Sequence, residues 1–242
     1  MNFSQFKKNI PSRTRCFELS ECLAKTYQDG NGSNIPGRDV FSHCLIVGRI
    51  ARSLLSRMPL WLKDALYPLH SELIAASHDV GKVCPTFQEK IRRGRKNSSN
   101  YQPNSYPGLE GIDPEWEEKW GYHAGLSLVT LSHCRVGKLI PEIVGEHHGY
   151  SPPRDQVEIC RATADRYGGP EWQKLRENLI DDLKSALKAT WPVIENEKQA
   201  MLIAGLTTVS DWIGSTPRFD DPKNERWENE IENAKLKIQK KN

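Results

Sequence analysis

The sequence predicts an all-α fold built as one domain. Three observations carry that expectation. Apolar residues recur at helical spacing through most of the chain, as in Phe41–Leu55, where Val47, Ile50 and Leu54 follow His43 along one face. Glycines, prolines and capping residues punctuate these stretches at intervals suited to interhelical loops. No strand-rich region, internal repeat or low-complexity tract interrupts them. The 242 residues suffice for a compact domain with a real core.

The elements follow in order. Phe41–Leu55 reads as a helix with His43 on its inward stripe. Ser71 suits the N-cap of a helix over Glu72–Val80, in which Ile74 and His78 share a face; Gly81 and Pro85 end or bend it near Lys82. From Arg92 to Gly121 the helical pattern lapses among Gly, Asn, Ser and Pro, which predicts a long irregular loop. Its start is basic (Lys90, Arg92, Arg93, Arg95, Lys96), and aromatics follow (Tyr101, Tyr106, Trp116, Trp120, Tyr122). Helix resumes at His123–Leu131. Pro141 suits the first turn of a helix reaching His147 or His148, stopped by Gly149 and Ser151-Pro152-Pro153. Asp155 caps the next, and Gly168-Gly169-Pro170 closes it. Glu171–Thr190 is a charged amphipathic helix. Glu197–Ile213 carries Met201, Ile203, Leu206 and Val209 and is expected to be central; Gly214 and Pro217 stop it. Residues 1–220 are thus expected to form the domain, and residues 221–242 a charged C-terminal helix or linker.

Composition removes several function classes. With 37% hydrophobic and 27% charged residues, the chain is not a disordered segment. Thirty-four basic against 31 acidic residues give a net charge of +3, too little to hold nucleic acid by charge alone, so any partner has to be argued from a site. No run of about 18 apolar residues offers a membrane span. The polar stretch Met1–Arg15 lacks the apolar core of a secretory signal, and a cytoplasmic location is expected. The six cysteines include no C-x-x-C pair, which argues against a zinc ribbon; reduced, mostly buried thiols are expected.

The histidines carry the chemistry. His43, His78-Asp79, His123, His147-His148 and Asp211 each sit on or beside a predicted helix. Imidazoles and carboxylates together are transition-metal ligands, and five of one with two of the other can hold two ions. Two metals about 3.5–4 Å apart suit phosphoryl transfer, because they bind both the attacking and the leaving oxygen. Asp79 is the natural bridge, since a carboxylate can serve two cations where an imidazole cannot. Lys82 lies about one helical turn on, where a cation suits a phosphate. His70 and His133 fall off these faces and are expected at the surface.

Together these residues resemble the HD superfamily of metal-dependent phosphohydrolases. The fuller set narrows the resemblance: F-S-H-C-L-I-V-G around His43, S-H-D-V-G-K-V-C-P-T-F-Q from Ser77, G-Y-H-A-G-L-S around His123, G-E-H-H-G-Y around His147, and S-D-W-I-G-S from Ser210. From about Ser42 to Ser215 the chain is similar to the HD nuclease of type I CRISPR interference. The resemblance implies a helical fold around a central dinuclear metal site. His43, His78, Asp79 and Asp211 would hold one ion, and Asp79, His123, His147 and His148 the other. Lys82 matches the motif lysine beside the metals, and Ser215 a hydroxyl near the scissile phosphate. It also implies cleavage of single-stranded DNA, fed by a CRISPR helicase domain or subunit after the RNA-guided Cascade complex has opened the target. The implied cofactors are two divalent transition-metal ions (Mn, Fe, Co or Ni), since Mg prefers oxygen ligands. The basic run Lys90, Arg92, Arg93, Arg95 and Lys96, with the aromatics beyond it, is a candidate track for the strand. No G-x-x-x-x-G-K-[ST] motif is present, so the expected motor lies in another subunit or in the rest of a longer nuclease–helicase. The other readings are an HD-type nucleotide phosphohydrolase or cyclic-nucleotide phosphodiesterase, and a non-catalytic regulatory module. The full ligand set argues against the last.

Overall fold

The computed structural model describes residues 17–28, 30–94, 109 and 112–239, the side chains of 234–239 excepted. Arg95, Lys96, Tyr101, Tyr106 and Cys16 lie outside the described residues.

Helix α1 (Val40–Leu55) begins where the Asp39 carboxylate accepts the Ser42 N–H at 2.8 Å, an N-cap that satisfies an otherwise orphan donor. It is the spine of the fold. Helices α3 (Ser71–Ala76), α9 (Gly169–Leu187), α10 (Glu197–Gly214) and α12 (Trp227–Gln239) all pack against it. Ile46 and Ile50 of α1, with Cys44, meet Leu73, Ile74, Leu183 and Ile203 in the core, and Val47 packs separately with Ala75 and Leu206, each large buried side chain contributing on the order of 1.5–3 kcal/mol. Gly48 allows the close approach of α3, since a Cβ there would lie 2.7 Å from the Ala76 Cβ. Helix α2 (Leu60–Leu66) buries no residue of its own. After the turn that follows α3 the chain continues through α4 (Pro85–Gly94), α5 (Trp116–Lys119), α6 (Tyr122–His133), α7 (Ile140–Gly145), which joins the main core, and α8 (Arg154–Ala162); α11 (Pro217–Asp220) leads into α12. A small antiparallel hairpin precedes α1, pairing β1 (Thr26–Gln28) with β2 (Asn34–Pro36), Tyr27 opposite Ile35. The fold is all-α around this single decoration.

Several local expectations change. Ser71 is the first residue of α3 and not its cap; His70 occupies that position in the left-handed region, at φ 72°. Helix α3 stops at Ala76, so His78 and Asp79 lie in the turn between it and a 3-10 turn at Val80–Lys82. Pro153 stands at the cap position of α8, and Asp155 lies inside its first turn. Where the sequence predicts an irregular loop from Arg92, α4 continues to Gly94 with Glu89 one turn below Arg92 and Arg93, and α5 forms at Trp116–Lys119. Helix α10 is less central than its apolar composition implies: Met201, Val209 and Trp212 are exposed, and α1 takes the centre. Trp227 and Ile231 of α12 are buried in the main core, and Glu228 pairs with Arg49 at 2.8 Å. Cys22, Cys44, Cys84 and Cys160 are buried and Cys134 half-buried, and all five are free thiols. His133 is exposed and His70 half-buried.

Candidate metal centre

Five elements deliver the sequence-predicted ligands to one place. His43 comes from the first turn of α1, His78 and Asp79 from the turn after α3, His123 from the start of α6, His147 and His148 from the turn after α7, and Asp211 from the last turn of α10. Their donor atoms form two groups, His43–His78–Asp211 and His123–His147–His148, each with one ligand atom per residue and all within 4.8 Å of one another.

Asp79 stands between the groups and turns one oxygen to each. Its Oδ2 lies 3.3 Å from His43 Nε2 and 3.1 Å from His78 Nε2. Its Oδ1 lies 3.4 Å from His123 Nε2 and 3.6 Å from His147 Nε2. Asp211 Oδ1 completes the first group, 3.4 Å from both His43 and His78. His148 Nε2 completes the second, 2.9 Å from His123 Nε2.

The imidazoles are held from behind. The Nδ1 of His78 bonds the Ala75 carbonyl at 2.9 Å, and that of His147 bonds the Val144 carbonyl at 2.7 Å. Each bond fixes the ring so that Nε2 faces the centre, the arrangement that sets the tautomer of a metal-ligating histidine. The Thr208 hydroxyl on α10 lies 3.1 Å from the His147 carbonyl and anchors that turn.

Asp79 Oδ1 and the Nε2 atoms of His43, His78 and His147 are buried without a hydrogen-bond partner among the described residues, and Asp79 Oδ2 is engaged by the Lys82 ammonium. Orphan polar atoms of this kind are costly in a folded interior unless something else engages them. Here four converge beside a charged carboxylate, a set suited to a cation. The residues present therefore fit divalent metal binding.

The electrostatics point the same way. Burial, above all, holds His123 well below the ordinary imidazole range; it takes His147 down to about 3 and lowers His148. These three remain neutral, the form that can ligate. Burial alone would raise the Asp79 carboxyl, but the charges of His78 and Lys82 overcome it and hold the group well below its usual range. Asp211 is lowered against burial by His78 in the same way. Burial would lower His78, yet the two carboxylates raise it to about 10. The chain thus concentrates two carboxylates on one spot and draws a positive charge toward them.

Lys82 Nζ lies 2.6 Å from Asp79 Oδ2 and above the Phe87 ring. Ser215 Oγ donates to Asp211 Oδ1 at 3.1 Å and so orients a ligand of the first group. The expected DNA track fares differently. Glu89 is buried and binds Arg92 and Arg93 through distances of 2.5–2.8 Å, while Lys90 lies 3.5 Å from the buried Glu117. Trp120 is fully buried, its indole N–H donating to Thr163 at 3.1 Å, so it cannot stack on a strand. Trp116 is half-buried with Lys119 over its ring. Tyr122, next to His123 and under Lys90, is exposed as well, and two further exposed rings adjoin ligands in sequence or by stacking where the sequence pattern passed them over: Trp212, next to Asp211, and Tyr150, stacked on His148 at 6.4 Å. Gln88 was also missed. Its amide bonds both backbone groups of Leu23 and the Lys82 carbonyl at 2.9–3.0 Å, pinning the turn that carries the lysine.

A helical domain with histidines and aspartates from five elements around one carboxylate defines a metal-binding phosphohydrolase-like domain of the HD type. Residues 24–219 match the family described as "Cas3, HD domain", and the chain belongs to that family, the HD nuclease domain of type I CRISPR systems. A CRISPR-associated nuclease/helicase Cas3 of Streptococcus thermophilus is 27% identical over 171 residues, covering 62% of this chain and 18% of that protein. Among solved structures, the Thermus thermophilus Cas3 HD domain in the presence of Ni2+ superposes with a TM-score of 0.53 at 16% identity, covering 82% of each chain. The T. fusca Cas3–AMPPNP structure gives a TM-score of 0.57 at 19% identity, over 93% of this chain and 27% of that one. The chain therefore spans about a fifth of the curated relative and about a quarter of that larger structure.

Proposed function

We propose that this chain is a metal-dependent deoxyribonuclease of CRISPR interference that hydrolyses phosphodiesters of single-stranded DNA with two divalent transition-metal ions. The observation that carries the reading is Asp79, whose two oxygens each face a separate group of three further ligands. His43, His78, Asp79 and Asp211 would hold one ion, and Asp79, His123, His147 and His148 the other. When bound, such ions supply Lewis acidity toward the phosphate and activate water.

The chain's own residues do the rest. The ionised carboxylates and the neutral imidazoles of His123, His147 and His148 are in their binding form at neutral pH, whereas His78, held positive by Asp79 and Asp211, would release a proton on ligating. Lys82 offers a cation to a non-bridging phosphate oxygen and to charge developing in the transition state. Ser215 stays on Asp211 and holds its orientation. Tyr150, stacked on His148, and the exposed Trp212, next to Asp211 in sequence, offer ring faces on which unpaired bases can stack irrespective of sequence. The pairing of Lys90, Arg92 and Arg93 with acids and a net charge of +3 leave the chain weakly attractive to DNA, which suits a nuclease supplied by a helicase within a Cascade-directed machine.

The test offers circular single-stranded DNA, duplex DNA, dNTPs and cyclic dinucleotides to the purified chain loaded with Mn, Co or Ni. Single-strand cleavage that disappears in Asp79→Ala is expected. Turnover confined to small nucleotides overturns the reading in favour of a nucleotide phosphohydrolase.

A further inference from the structure

We infer that Ser127 is a positioning residue whose hydroxyl sets the place of Asp79 relative to His123. The inference rests on the metal-site reading above. Ser127 stands one turn after His123 on α6 and is wholly buried. Its hydroxyl donates to the His78 carbonyl at 2.9 Å and accepts the Gly81 N–H at 2.8 Å. These two groups belong to the peptides on either side of the Asp79–Val80 segment. One oxygen atom on α6 thus clamps both ends of the turn that carries the shared carboxylate.

The behaviour of neighbouring hydroxyls marks this as a distinct arrangement. Ser77, Ser132, Ser185 and Thr207 all donate back to the carbonyl four residues earlier in their own segment, at 2.8–2.9 Å. Ser127 turns instead to another element. The turn itself records the intrusion. Val80, Lys82 and Val83 each donate to the carbonyl three residues earlier, whereas Gly81 gives its N–H to Ser127. The hydroxyl is a relay inserted where the bond from Gly81 to His78 would close. Gly81 makes the insertion possible, because a Cβ there would overlap the His123 carbonyl and crowd the Ser127 amide nitrogen at 2.7 Å.

Removing the hydroxyl leaves a buried carbonyl and a buried N–H without their partner, and the nearest repair is for the two to bond each other. That closure draws the turn in and moves Asp79 away from its position 3.4 Å from His123. The span between Asp79 Oδ1 and the second ligand group is therefore what Ser127 sets.

The experiment is a Co2+ titration of the intact chain, followed by the visible absorption of the bound ion against a competing chelator, with circular dichroism on the same samples. Wild type is expected to bind, Ser127→Ala to bind at least one equivalent about 10- to 100-fold more weakly with helical signal retained, and Ser127→Thr, which restores a hydroxyl, to recover most of that loss. Ser132→Ala serves as the comparison and is expected to bind as wild type. Wild-type affinity in Ser127→Ala overturns the inference, as does an equal defect in the Ala and Thr variants, which would make volume rather than the hydroxyl the cause. Should Ser127→Ala fail to fold, the Thr variant decides alone: tight binding supports the hydroxyl, and weak binding or misfolding overturns it. Absence of Co2+ uptake by wild type overturns the metal-site reading instead, a distinct result.

Discussion

Lys82 Nζ approaches Asp79 Oδ2 to 2.6 Å, the same oxygen that faces His43 and His78. The ammonium and a metal ion therefore address one atom. Lys82→Ala should tighten metal binding, since a competing charge is gone, while slowing strand cleavage by about 100- to 1,000-fold through loss of a cation at the phosphate. Metal titration and single-turnover cleavage on the same preparation read the two effects separately. A parallel loss of both would make the lysine a support for the turn and not a partner of the substrate.

Asp79→Asn tests the sharing of one carboxylate. Both ligand groups lose an anionic oxygen at once, so metal affinity should fall by more than about 100-fold for every equivalent bound. The variant also removes the counter-ion of Lys82 and one of the two carboxylates that face the buried His78, and thermal stability should drop. Retention of one equivalent at wild-type affinity would contradict a shared bridge.

Glu117 gives a pH dependence away from the ligands. Burial pushes its carboxyl up from 4.5 to about 7, and the pairing with Lys90 only partly offsets this. The folded chain then holds the proton more tightly than the unfolded chain. The stability linked to this group is full below about pH 4 and is lost as pH rises through about 7. Glu117→Gln removes that loss and should gain up to about 3 kcal/mol over wild type at pH 8, with little gain near pH 4. Urea unfolding at both pH values measures the difference, and a pH-independent gap would mean the carboxyl titrates normally.

Trp212→Ala probes base stacking. The side chain is exposed and follows the candidate ligand Asp211 in sequence, so its removal should spare metal content and folding. If bases stack on it, binding of single-stranded DNA should weaken by about 5- to 150-fold, corresponding to ~1–3 kcal/mol per stacked base. The change should appear in KM more than in the cleavage step; an unaltered KM would remove the ring from the substrate path.

Much of the fold and the ligand set could be read from the chain alone. His43 was legible because Val47, Ile50 and Leu54 share its stripe, and Asp211 because a carboxylate ended an apolar helix. The break before His78 was not, since Ile74 and His78 keep helical spacing across a turn that ceases to be helical at Ala76. The fate of the basic run was equally hidden. Glu89 appears in sequence as one acid among cations, and only its burial beneath Arg92 and Arg93 commits them. Ser127 and Gln88 act through backbone groups of other segments, and local periodicity carries no information about such partners.

Cys44 immediately follows His43 and is fully buried, and burial first, with Asp79 second, raises its thiol well above the ordinary range. Thiolates are the soft ligands that draw zinc and cuprous ions. A sulfur one residue from a ligand, yet locked in its protonated form, removes that attraction from the neighbourhood. Packing in α1 thereby leaves the proposed centre with nitrogen and oxygen donors and no thiolate at its edge.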